Sequence, residues 1–299
     1  MKKLWLAYFG SSYFSALFLE KLINDSELQK IIDLKLVVTQ PDKPVGRKQI
    51  LTPTPVKEMA NKYHLPVLDK LEQYSVEKNL DFGLVYAYGE IIPKKLLELP
   101  KYGFLNVHPS LLPKYRGTSP IAGPLIKGEK QTGVTIIKMD EKVDHGPVIA
   151  QEKYEILPTD KRPDLEIKLT ELGYEMFRSV ILLTLRSTSE GGSLTKDFSL
   201  EATPQNHSLA TYTKKLTKQD GFIEFENLKL EIKASSESLY NLFRGLFPWP
   251  GIWTTLPNGK RLKITDLDLK DGKLLIKKVQ MEGKKEVGFE TFNSSYKFF

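Results

Sequence analysis

The sequence predicts an α/β protein in two parts. A Rossmann-like, mostly parallel sheet domain spans residues 1–188, a small β-rich domain of open-barrel (OB-like) form spans 207–299, and a linker joins them at 189–206. Three observations carry that expectation. Strand-like and helix-like runs alternate through the first part, as crossovers between parallel strands require. Residues 186–208, RSTSEGGSLTKDFSLEATPQNHS, are rich in Ser, Thr and Gly and lack an apolar period. Beyond them the apolar runs are short and alternating, separated by PNG and DG turn signals.

Taken in order, KLWLAYF (3–9), LKLVVT (34–39), DFGLVYAY (81–88) and GFLNV (103–107) are the strand-like runs, with helical segments near 12–24, 55–63, 70–79 and 93–99. GVTIIKMD (133–140) and GPVIAQEKYEI (146–156) read as two further strands joined by EKVDH. RPDLEIKLTELGYEMFRSVILLTL (162–185) has helical spacing through Leu165, Leu169, Leu172, Met176, Val180 and Leu183, and closes the first domain. In the second domain FIEF, LKLEIK, RLKITDLDL and KLLIKKV read as short strands. The first strand–turn–helix, YFGSSYF, holds one glycine and lacks the G-x-G-x-x-G pattern, so a nicotinamide or flavin cofactor is poorly supported.

At 299 residues and 40% hydrophobic, the chain is long enough to bury a full core. The lack of cysteine removes disulfides, thiolate nucleophiles and zinc–thiolate sites. Its chemistry must then come from His, carboxylates, amides, hydroxyls or a bound cofactor. The N-terminus opens like a signal peptide, but Gly10, Ser11 and Ser12 interrupt the apolar run and Glu20 and Lys21 follow it. No run approaches the roughly 18 apolar residues of a membrane span, so a cytoplasmic location is expected. Of the formal charge of +7, +5 lies in residues 206–299. A basic appendage on a nearly neutral domain suggests an anionic partner, most commonly nucleic acid, although a solvated lysine-rich surface accounts for the same charge.

Asn106 and His108 stand two apart at the end of the run GFLNV, where prolines stop it. On a strand they share a face, at the carboxyl end where open α/β sheets place ligands. Asn offers an amide N–H to a developing oxyanion, and His shuttles a proton near neutral pH. A hydrogen-bonded Asn and a packed His at a strand end fit the same pattern. Asp144, in MDEKVDHGPV, occupies a turn from which a carboxylate reaches the imidazole, or makes an Asx-turn only. His145 is expected to face solvent, and His64 and His207 to be ordinary surface residues. No G-x-S-x-G elbow and no metal-ligand spacing occurs among the four histidines.

LNVHPSLLPKYRGTSPI (105–121), followed by TGVTIIKMDEKVDHGPVIAQ (132–151), resembles the folate-dependent formyltransferase superfamily. Its hallmark is Asn-x-His-x-Ser-Leu-Leu-Pro and a later Asp-x-Gly. The resemblance implies transfer of a formyl group from 10-formyltetrahydrofolate to an amine, without a metal, by Asn106, His108 and Asp144. It also implies that Ser110, Leu111, Leu112 and Pro113 line the folate site. VVTQPDKPVGRKQILTPTPVKEMA (37–60) is similar to the long loop of those members that act on initiator methionyl-tRNA, where it reaches into the acceptor end. That implies tRNA as partner and Lys43, Arg47 and Lys48 as phosphate contacts; an amino-sugar nucleotide is the alternative acceptor. TYTKKLTKQDGFIEF and LYNLFRGLFPWPGIW resemble the small domain of the same members, with Trp249 and Trp253 as core or hinge packing. The likeness runs from YFGSSYF to about residue 265 and leaves the last thirty or so residues unmatched. Two departures are the first loop, GSSYF in place of Gly-Thr-Pro-x-Phe, and His145 where a smaller residue is commoner. A monomer is expected.

Overall fold

The computed structural model describes residues 3–46, 48–71, 74, 79–189, 202–297 and 299. In chain order the elements begin with β1 Leu4–Phe9, α1 Tyr13–Asn24, β2 Ile32–Val38, β3 Lys43–Val45, β4 Ile50–Thr52, α2 Pro55–Lys62, β5 Val67–Leu68, β6 Phe82–Val85, α3 Lys94–Leu97, β7 Phe104–His108 and β8 Arg116–Gly117. They continue with α4 Ala122–Ile126, β9 Gln131–Lys138, β10 Val148–Glu155, α5 Arg162–Ser189, β11 Tyr212–Thr213, α6 Phe225–Lys233, α7 Glu237–Leu246, β12 Ile252–Thr255, β13 Arg261–Lys270, β14 Lys273–Met281, β15 Val287–Gly288 and α8 Phe289–Tyr296. The chain divides into two compact units. Met1–Thr118, Gly133–Tyr154 and Glu166–Tyr212 form the first; Ser119–Thr132, Glu155–Leu165 and Thr213–Phe299 form the second.

In the first unit, among the described residues, seven strands make one sheet in the order β10-β9-β7-β6-β1-β2-β5. β1 runs parallel to β2 and β6, and β7 parallel to β6, while β9 is antiparallel to β7. The sheet is mostly parallel, as the alternation of runs predicted. Leu6 to Phe9 are fully buried because both faces are covered. Ala7 and Phe9 pack with Leu36, Val38, Val85 and Phe104 on one side, and on the other Tyr8 meets Phe18 of α1, which also contacts Tyr174 and Phe177 of α5. Local signals start the helices: Ser12 Oγ accepts from Ser15 N at 3.1 Å, and Thr54 caps α2 with Pro55 in its first turn.

The helix read over 162–185 is α5, and Leu165, Leu169 and Met176 of the expected stripe are buried. Toward its end the buried face turns to Phe177 and Ile181, with Gly173 facing the same way, whereas Leu183 is 62% exposed. Gly173 sets the face, since a Cβ there would lie 2.8 Å from Val107 Cγ1 of β7. The helix read over 70–79 and the linker core at 190–201 fall largely outside the described residues.

In the second unit β12, β13, β14 and β15 form an antiparallel sheet, flanked by helices. Asp271 and Gly272, both at positive φ, make the two-residue turn between β13 and β14 that DG predicted. The core gathers Leu239, Phe243, Leu246, Ile252, Leu262, Ile264, Val279, Met281 and Phe292. The tail beyond residue 265 therefore completes this core. The strands read at FIEF and LKLEIK are instead mostly helix α6. Leu228, Leu230 and Ile232 alternate, but Phe225 and Leu228 are buried and Ile232 packs beside them at helical spacing, leaving Leu230 65% exposed. Trp249 is 53% exposed, so it is not core, whereas Trp253 packs on Phe222 and donates to the Lys218 carbonyl. Among the described residues no helix is long and apolar enough to cross a membrane.

Candidate active site

Strand period and sheet topology together place the first two site residues. Phe104, Asn106 and His108 share one face of β7; Phe104 anchors it in the core and the two polar side chains extend from it toward the carboxyl end. β6 and β7 lie on one side of β1 and β2 and β5 on the other, so this end borders the reversal in strand order where such sheets bind ligands. Asp144 comes from the turn between β9 and β10. Its Oδ1 accepts from Asn106 Nδ2 at 3.2 Å and lies 3.5 Å from His108 Nδ1, and its Oδ2 accepts from Gly117 N at 2.7 Å. The three residues expected from the sequence thus converge.

Hydrogen-bond chemistry fixes their orientation. His108, 4% exposed, has Nε2 at 3.1 Å from the Tyr115 carbonyl. A carbonyl only accepts, so the neutral ring carries its proton on Nε2 and turns Nδ1 toward Asp144. The Asn106 amide has two N–H groups; Asp144 engages one, which sets the amide plane and directs the other away from the carboxylate. Asp144 itself has φ +50°, a left-handed conformation unusual for a residue other than glycine.

The Ser110–Pro113 segment is fastened to β9. Ser110, fully buried, donates from Oγ to the Lys114 carbonyl at 2.7 Å, and Thr135 Oγ1 donates to the Ser110 carbonyl at 2.6 Å. Leu112 is buried, with its N–H on Thr135 and its carbonyl accepting from Gln151, while Leu111 and Pro113 are half-buried. A cleft of about 450 Å³ opens beside the 139–145 turn, with Leu97, Gly103 and Met139 in its lining and its charges balanced, Lys94, Lys138 and Lys142 against Glu98, Asp140 and Glu141. The four residues of 110–113 are not in its lining. Lys43 and Lys48 are exposed on and beside the β3–β4 hairpin, with Lys43 Nζ donating to Gln40; Arg47 lies outside the described residues.

Five further residues, Arg116, Gln205, His207, Tyr212 and His145, form a cluster beside the site that was not expected there. Arg116 is 1% exposed and donates to Gln205 Oε1 at 2.6 Å, His207 Nδ1 at 2.8 Å and Tyr212 OH at 3.3 Å. A guanidinium only donates, so His207 Nδ1 accepts and its ring is neutral here. Desolvation by the groups packed against it, the His145 ring and the Arg116 charge hold the His207 pKa below its usual value. His145 is not simply solvent-facing: it donates to Asp140 at 2.6 Å and stacks on His207 at 3.9 Å between centroids. His207 is exposed but tied on both sides, so it is no ordinary surface residue. The one sequence signal for this cluster is the Arg-Gly step at 116–117.

Residues 5–181 match the family model described as formyl transferase, and residues 215–272 that described as formyl transferase, C-terminal domain. A methionyl-tRNA formyltransferase of Caldicellulosiruptor saccharolyticus is 38% identical, over 98% of this chain and 97% of that one. Two solved structures share the fold. The N-formyltransferase from Helicobacter canadensis, in complex with folinic acid and dTDP-3-aminofucose, has a TM-score of 0.62 at 20% identity, covering 90% of this chain and 89% of that one. Methionyl-tRNA formyltransferase from Clostridium thermocellum has a TM-score of 0.59 at 16% identity, covering 96% and 100%. The motif that suggested the resemblance lies inside the first match. The chain belongs to the formyl transferase family.

Proposed function

We propose that the protein transfers the formyl group of 10-formyltetrahydrofolate to the α-amino group of initiator methionyl-tRNA. One observation carries the choice of acceptor: the nearly end-to-end likeness, at 38% identity, to a methionyl-tRNA formyltransferase. Enzymes named for amino-sugar acceptors resemble the chain at 20% identity or less.

The donor supplies an activated one-carbon acyl group, and the residues around Asp144 suit that chemistry. As the amine nitrogen bonds to the formyl carbon, negative charge develops on the formyl oxygen. The second N–H of Asn106 is the donor aimed at it, preorganised by the bond its partner N–H makes to Asp144. The amine must lose a proton, and the leaving nitrogen of the folate must gain one as its bond to the formyl carbon breaks. His108 moves the proton, and the Asp144 carboxylate 3.5 Å from Nδ1 stabilises the imidazolium formed on the way. Ser110, Leu111, Leu112 and Pro113, fastened to β9 beside His108, would line the folate site. Lys43, Arg47 and Lys48 would contact tRNA phosphates, and the basic C-terminal part would hold the tRNA backbone.

The test is an acceptor panel. Purified protein is incubated with 10-formyltetrahydrofolate and, separately, methionyl-tRNA, an amino-sugar nucleotide, and buffer alone. Formylated methionyl-tRNA is the expected product. A formylated sugar, or formate released at the same rate without acceptor, would overturn the reading.

A further inference from the structure

Asp144 is held at both ends, and the side chain that holds its main chain is Gln205. Gln205 Nε2 donates to the carbonyl oxygens of Asp144 (3.1 Å) and Gly146 (2.7 Å), while its Oε1 accepts from Arg116. These partners leave one orientation for the amide, because two of them only accept and the third only donates. The ring then closes on itself, since Arg116 is followed by Gly117, whose N–H binds the Asp144 carboxylate. Gln205 is itself fixed: it is 7% exposed, and Thr203, two residues earlier, exchanges both backbone hydrogen bonds with Val148 at 2.8 Å. The left-handed backbone of Asp144 is strained for a residue other than glycine, so its surroundings must hold the turn in place.

We propose that Gln205 is a positioning residue for the transfer reaction, holding the Asp144 main chain so that the carboxylate meets Asn106 and His108. The proposal rests on the formyl-transfer reading above. Gln205 acts through Asp144: the amide sits on the main-chain side of that residue, and the carboxylate reaches Asn106 and His108 on the other. A shift of Asp144 by about 1 Å would break the 3.2 Å contact with Asn106, and misplacement on that scale costs about 10²-fold in rate.

The variants are Gln205→Glu and Gln205→Ala. Glutamate keeps the size and the acceptor for Arg116 but presents oxygen to two carbonyls, so it tests the two N–H bonds with the fold preserved. For Gln205→Glu the expected result is a melting temperature near that of the wild type and a kcat lower by 10- to 100-fold. KM for tRNA and for folate should stay within about twofold, and amide hydrogen exchange over residues 140–147 of the substrate-free protein should be about tenfold faster. Gln205→Ala should match or exceed the loss in kcat. Unchanged kcat in folded Gln205→Glu would overturn the proposal, whatever the exchange result. So would a fall in kcat matched by rises in KM and a lowered melting temperature in both variants, since that marks support of the fold alone. If the wild type forms no formylmethionyl-tRNA, the functional reading fails instead; the exchange comparison then still decides whether Gln205 holds Asp144.

Discussion

Replacing Asp144 by asparagine keeps its shape and removes one oxygen and the charge. The carboxylate uses both oxygens, one for Gly117 N at 2.7 Å and one for Asn106 Nδ2 at 3.2 Å, with His108 Nδ1 3.5 Å away. An amide whose oxygen stays on Gly117 turns its NH₂ toward the NH₂ of Asn106, two donors facing each other, so the Asn106 amide loses the bond that orients it. The larger effect falls on the proton transfer. Two opposite unit charges 3.5 Å apart attract by about 5 kcal/mol at the effective dielectric of about 20 that suits protein sites. The imidazolium forming in the transition state would lose that stabilisation, which corresponds to about three powers of ten in rate at about 1.4 kcal/mol per decade. Single-turnover formylation of methionyl-tRNA with saturating donor is the assay, with circular dichroism as the check on folding. A folded Asp144→Asn protein whose single-turnover rate stays within about tenfold of the wild type would exclude this role for the carboxylate.

Asn106→Ala removes the proposed oxyanion donor and should lower kcat by about 10²–10³ while leaving folate affinity within a few-fold, as read by fluorescence titration; full rate in a folded mutant would exclude that role. KM for tRNA should rise steeply between 50 and 200 mM salt and KM for folate should not, because phosphate contacts release counterions; equal salt dependence would count against the basic loop and C-terminal part as the tRNA grip. The lowered pKa of His207 makes a stability prediction whose sign follows from linkage. The unfolded chain takes up this proton first as pH falls, so the contribution is full above about pH 6.5 and is lost as pH drops through the lower folded value. His207→Gln, which still offers Arg116 an acceptor, should therefore show a smaller drop in urea midpoint from pH 7.5 to pH 5 than the wild type; equal drops would contradict the assignment.

The parts of the site legible in the sequence are those set by short-range geometry. Asn106 and His108 are two apart on a strand, so the period of two puts them on one face without any knowledge of the fold. Asp144 is legible as a turn carboxylate next to a strand pair, and its distance to His108 follows from β9 pairing with β7. Gln205 is hidden for a physical reason. It lies in a stretch whose Ser, Thr and Gly content marks a linker, and its partners are main-chain carbonyls 61 and 59 residues away, which no side-chain pattern announces. The failures in the fold are failures of period. Leu228, Leu230 and Ile232 satisfy a strand alternation, and Phe225, Leu228 and Ile232 a helical stripe; burial selects the helix. In α5 the apolar residues outnumber what one face can hold, and the close approach of Gly173 to Val107 chooses the face.

Formylation of the methionyl-tRNA amine at the Asn106–His108–Asp144 cluster is read without intermediaries by following the transferred carbon. The protein is given 10-formyltetrahydrofolate labelled with ¹³C in the formyl group together with methionyl-tRNA, the amino acid is released by mild base, and its mass is read. Wild-type protein should give N-formylmethionine carrying the label, and His108→Gln at least about a hundredfold less at equal folding. Unlabelled methionine from the wild type, or undiminished label from the His108 variant, would contradict it.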